Sequence, residues 1–86
     1  MKTTQYILSS VFILLPVVLL AQDPSALFSE AEQQYDEGEY TGAVETYQQI
    51  LRQGVESASL HYNLGNAYFK SGEIGEAILH YEKAAK

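Results

Sequence analysis

Apolar side chains recur along this chain in two rhythms. From Val11 to Ala21 they run on with no polar residue between them; reaching back to Tyr6 gives a stretch of 16 residues that contains Pro16. From Pro24 onward they are spaced by one, three and four, the mark of amphipathic helices. Asp23-Pro24 reads as an N-cap followed by proline at the first helical position, and Leu27, Phe28, Ala31, Gln34 and Tyr35 form the first stripe. Gly38 supplies the left-handed backbone that a tight turn needs. A second helix is predicted from about Tyr40 to Arg52, with Tyr40, Ala43, Val44, Tyr47, Ile50 and Leu51 on one face and Gly54 closing it. Ser57 then caps a third, carrying Leu60, His61, Leu64, Tyr68 and Phe69. After a turn at Gly72 comes a fourth stripe: Ile74, Ala77, Ile78, Tyr81, Ala84 and Ala85. Every segment is helical and every connection is short, so neighbours must pack antiparallel.

The four stripes are two copies of one unit. At an offset of 34, Ser25 pairs with Ser59, Gly38 with Gly72, Glu39 with Glu73, Ala43 with Ala77 and Tyr47 with Tyr81. Phe28 with Tyr62, Ala31 with Gly65, Tyr35 with Phe69, Tyr40 with Ile74 and Val44 with Ile78 are conservative matches. A fixed period of this size predicts an all-α solenoid of stacked hairpins. The small pairs Ala31/Gly65 and Ala43/Ala77 mark the helix crossings, where larger side chains would push the axes apart. Tyr47 and Tyr81 are expected to fill the core between the helices.

His61-x2-Leu64-Gly65-x2-Tyr68 followed by Ala77-x3-Tyr81 resembles the tetratricopeptide repeat, and Tyr62–Lys70 is close to its consensus throughout. The first copy departs further: Leu27 stands for the usual Trp, Glu30-Ala31 for Leu-Gly, Gln34 for Tyr, and Val55 for the closing proline. On this resemblance 24–57 is repeat 1, 58–86 an incomplete repeat 2, and 22–23 a short linker. A narrower likeness joins Ala26-Leu27-Phe28 and the run from Gly54 to Tyr68 to BatE-type proteins of the aerotolerance operons of Bacteroidetes-like bacteria. Those proteins often continue into an SH3-like module, which this chain lacks.

The repeat resemblance also implies where a partner would sit. The first helix of each unit lines a concave groove, here Ser25, Phe28, Glu32, Tyr35 and Asp36, then Ser59, Tyr62, Asn66, Phe69 and Lys70. Aromatics that bury much area at little rotamer cost alternate with polar groups that can meet a peptide backbone. Glu32 and Asp36, one turn apart, would face a basic residue of the partner; solvated acids are the plainer alternative. The family's clamp for a C-terminal carboxylate is not expected. Asn63 matches one of its positions and is also a consensus residue of the fold, but Phe28 and Glu32 occupy the other two, and a glutamate would repel the ligand.

Residues 1–21 carry a short start with Lys2 as its only charge, an apolar centre and a small residue, Ala21, before Gln22-Asp23-Pro24. That is the layout of a secretory signal peptide. As a helix, the run from Val11 would reach about 16 Å against a hydrocarbon core of about 30 Å. Leu19, larger than usual three residues before the cut, keeps an uncleaved N-terminal membrane anchor open as the alternative. The expected location is periplasmic, or inner-membrane anchored and facing the periplasm. No cysteine is present for lipid attachment, disulfides or thiolate metal sites, so stability must come from packing.

Without residues 1–21 the chain keeps eleven acids against four bases, a net charge of −7. No basic stripe exists to displace counterions from phosphates, which argues against nucleic acid and against acidic membrane surfaces. His61 and His80 lie 19 apart on different predicted helices, outside any local zinc spacing. No G-x-S-x-G elbow, phosphate-binding glycine loop or catalytic cysteine appears, and Glu73 and Glu76 fall on a predicted exposed turn, which offers no desolvation for acid catalysis. No catalytic residue, metal, cofactor or small-molecule substrate is therefore expected.

The second unit stops about five residues short of its period, and a repeat buries its apolar face only against the next. The expectation is a truncated product or the N-terminal piece of a longer chain, self-associating through its open C-terminal end if it stands alone. The favoured function is an exported scaffold that grips a partner polypeptide. The rival is a regulatory or spacer segment of a longer envelope enzyme or sensor.

Overall fold

A computed structural model describes residues 22–86; the segment expected to be a leader or anchor, 1–21, lies outside the described residues. Four helices follow in order: α1 (Pro24–Asp36), α2 (Tyr40–Arg52), α3 (Ala58–Lys70) and α4 (Ile74–Ala84). Each packs chiefly against the next in sequence, giving two antiparallel hairpins in a row. The architecture is all-helical, with about two tetratricopeptide-type hairpins.

The turns explain why the helices end where they do. Gly38 has φ +81° and Gly72 has φ +90°, a region that side chains with a β-carbon rarely enter. In the first turn Gly38 N–H donates to Tyr35 C=O at 3.0 Å and Glu39 N–H to Gln34 C=O at 2.8 Å. In the second, Gly72 donates to Phe69 at 3.1 Å and Glu73 to Tyr68 at 2.9 Å. These paired bonds occupy carbonyls that a helix end would otherwise leave open. Glu39 and Glu73 then start the next helices through their own carbonyls, which accept from Ala43 and Ala77. Ser57 caps α3 as its sequence position predicts: its Oγ accepts from Leu60 N–H at 3.0 Å. Asp23 occupies the N-cap of α1, with proline following, but its side chain makes no capping hydrogen bond.

The core consists of Leu27 and Ala31 from α1, Ala43, Val44, Tyr47 and Ile50 from α2, Leu60, Leu64, Ala67 and Tyr68 from α3, and Ala77 from α4. Four residues assigned to apolar stripes are instead exposed: Phe69, Ile74, Ile78 and, just past the end of α4, Ala85. The repeat register gives the reason. Tyr35 and Tyr40, counterparts of Phe69 and Ile74, pack edge to face at 5.2 Å. Val44, counterpart of Ile78, is covered in part by the α3–α4 turn, where it lies with Ser71 and Glu73. Among the described residues nothing plays that part for the second hairpin. His80 and Thr46, which the stripes did not include, are buried.

Among the described residues no helix is long and apolar enough to cross a membrane.

Candidate functional site

The hairpins leave a cavity of about 310 Å³ between α1 and α3, with a floor from α2. Glu32, Tyr35 and Asp36 form one wall, Asn63 and Asn66 the other, and Tyr47 lies beneath. Helical spacing explains the first wall, because positions 32, 35 and 36 share one side of a turn. Of the ten groove residues expected from sequence, the cavity unites Glu32, Tyr35, Asp36 and Asn66. Ser25 and Phe28 line a separate depression with Pro24, Ser29, Ile50, Val55 and Ser57. Ser59, Tyr62, Phe69 and Lys70 lie on α3, exposed and outside both hollows. Tyr62 leans on Tyr81, ring centroids 5.9 Å apart.

Two lining residues were not assigned to the groove from sequence, Tyr47 and Asn63. Tyr47 is 2 % exposed, and Phe28 meets its ring edge to face at 5.5 Å. Its ring is core, as the stripe predicts. Its hydroxyl makes no hydrogen bond among the described residues. Burial, and then the charges of Glu32 and Asp36, push that phenol up to about 12, so it stays neutral and able to donate. The second hairpin treats the counterpart tyrosine differently: Tyr81 Oη donates to Asn66 Oδ1 at 2.5 Å. Asn66 is the register counterpart of Glu32. The repeat thus contains one satisfied tyrosine–amide pair and one open tyrosine–carboxylate pair. Asn63, half-buried, also makes no side-chain hydrogen bond among the described residues.

A second polar cluster sits inside the α3–α4 hairpin. His61 and His80, whose separation fits no local zinc spacing, meet Nδ1 to Nδ1 at 3.0 Å. Their rings stack, and Tyr68 stacks on the far side of His80. Glu56, in the link before α3, lies 2.8 Å from His61 Nε2. In a neutral pair His61 donates to Glu56 from Nε2 and accepts at Nδ1, so His80 carries its proton on Nδ1. Burial first, and the neighbouring His61 second, hold the His80 imidazole below its usual pKa. The hydrogen bond from His61 holds Glu56 below the ordinary carboxylate value. Sequence spacing missed the pair because 19 residues is no metal-site interval. The register carried half of the signal: it sets His61 against Leu27, a stripe residue, whereas His80 aligns with Thr46, which no stripe included. Among the described residues no three His, Cys, Asp or Glu side chains gather as a metal site.

No curated protein matches the chain. Residues 31–72, from the buried Ala31 of α1 to the turn glycine after α3, match the family model described as TPR repeat.

Proposed function

We propose that the chain is a protein-interaction module that holds a partner polypeptide along the trough formed by α1 and α3, on the exported side of a bacterial inner membrane. The observation that carries this reading is the exposed aromatic pair on α3, Tyr62 at 56 % and Phe69 at 55 %, set beside the open cavity. Rigid aromatic rings left in solvent next to a polar hollow are typical of surfaces that gain energy on binding. The TPR match supports protein partners in general. Export, and a place in a BatE-like envelope complex, are supported by the layout of residues 1–21 and by the likeness over Gly54–Tyr68. The mature N-terminus, read by mass spectrometry, tests the export step: a start at Gln22 is expected, and an intact Met1 would point to the anchor.

Peptides selected for binding to the full chain test the groove. Phe69→Ala and Tyr62→Ala should each weaken the selected peptides about tenfold, as truncation of a central aromatic contact does. Gln49→Ala and Glu82→Ala, on exposed positions of α2 and α4, should leave binding unchanged. Glu32→Lys combined with Asp36→Lys should weaken a basic partner sharply. Binding that ignored α1 and α3 but responded to α2 and α4 would refute the reading.

A further inference from the structure

We infer that the cavity beneath Glu32 and Asp36 is a specificity site for one arginine side chain of the bound polypeptide. This rests on the groove reading above and gives that groove a chemical preference. The two carboxylates are one turn apart on the same wall. Acidic residues in such an arrangement are often only solvated, and by themselves they would identify nothing.

The additional observation is the hydroxyl of Tyr47. It belongs to a side chain 98 % removed from solvent (2 % exposed), yet it has no partner among the described residues. The acids that act on it, Glu32 and Asp36, are those of the cavity wall. Among the described residues no buried side-chain N or O is left without a partner, so this hydroxyl is not sealed in: it opens into the cavity, where solvent or a ligand can meet it. The molecule itself contains the paired form, because the counterpart Tyr81 donates to Asn66. Where the second hairpin has an amide, the first has Glu32, and the cavity lies open between that acid and the phenol.

The donor count selects the ligand. Around the cavity stand two carboxylates, the phenol oxygen, and the carbonyl of Asn63, all able to accept. A guanidinium presents five N–H donors in a planar fork and stays charged at every relevant pH, whereas an ammonium is a compact point charge with three. The half-buried ring of Tyr35 adds a face on which a guanidinium can stack. Asn66 already accepts from Tyr81 at its oxygen, and its N–H donors are suited to a backbone carbonyl of the same ligand.

The test is a titration of the full 86-residue chain with a blocked pentapeptide carrying a central arginine, followed by backbone amide NMR shifts. Matched peptides carry lysine or citrulline at the same place. The arginine peptide should shift the amides around Glu32, Asp36 and Asn63 and bind about tenfold tighter than the citrulline peptide, the difference that a charge-assisted pair makes. Tyr47→Phe should weaken it about three- to tenfold, the worth of one hydrogen bond. Because that variant keeps the ring and deletes only an unpaired hydroxyl, its thermal midpoint should match the parent or exceed it. Glu32→Gln with Asp36→Asn should abolish the preference for arginine over citrulline. Equal binding of the arginine and citrulline peptides, or a Tyr47→Phe variant that binds as the parent does, would overturn the assignment. If selected peptides still responded to Phe69→Ala in that event, the groove would stand and only the arginine site would fall.

Discussion

A β-carbon at Gly65 would stand 2.7 Å from two atoms of the Tyr81 ring and 3.3 Å from the carbonyl oxygen of Ala77. That absence lets Tyr81 lie close enough to α3 for its hydroxyl to reach Asn66. Gly65→Ala would gain about 1 kcal/mol in helix propensity and lose about 1–3 kcal/mol to overpacking. The expected net effect is destabilisation of about 1 kcal/mol, seen as a thermal midpoint about 4–8 °C lower. An unchanged midpoint would mean that Tyr81 moves aside freely. Small size at this position was legible in the sequence, because Ala31 and Gly65 align. The open hydroxyl of Tyr47 was not, since spacing tells which ring is buried and says nothing of what its oxygen meets. Asn63 was likewise read only as a fold residue, and only the geometry sets it on the cavity wall.

Helix limits followed from short-range signals: proline after Asp23, serine at 57, and glycines whose positive φ closes each turn. What those signals cannot give is which side chains of α3 and α4 come face to face. The histidine pair is the main case, and it makes the second hairpin sensitive to acid. His80 is held below its normal value by burial and by His61. Glu56, Glu76 and Lys83 also act on it, and Tyr68 covers its ring. A depressed histidine favours the folded state fully above its unfolded pKa of about 6.5, and that contribution is lost as pH falls below it towards the folded value. Glu56 adds a second loss with the same direction. Its carboxyl is depressed from 4.5, so its contribution is present above that value and disappears as pH falls through the folded one. The thermal midpoint should therefore drop between pH 7 and 5.5. His80→Thr, which installs the residue of the first hairpin, should flatten that drop. Equal slopes for parent and variant would remove His80 from the explanation.

Translation by 34 residues predicts which substitutions the fold feels. Val44 is 8 % exposed and Ile78, its counterpart, 53 %. Val44→Ala should cost about 1–2 kcal/mol in urea unfolding, whereas Ile78→Ala should stay within about 0.5 kcal/mol. Similar costs at both sites would show that Ile78 is covered in solution. The architecture was legible from self-similarity because each hairpin carries its own turns and packs mainly on its neighbour. The periodicity overstated burial on α4, since it assigns the same environment to every copy, whereas among the described residues the second copy has no following layer. The same translation carries Glu32 onto Asn66 and Asp36 onto Lys70, so the lining of the trough runs from anionic on the first hairpin to cationic on the second. Otherwise similar hairpins thereby acquire a polarity, and a ligand with opposite charges at its two ends would find one orientation attractive and the reverse repulsive.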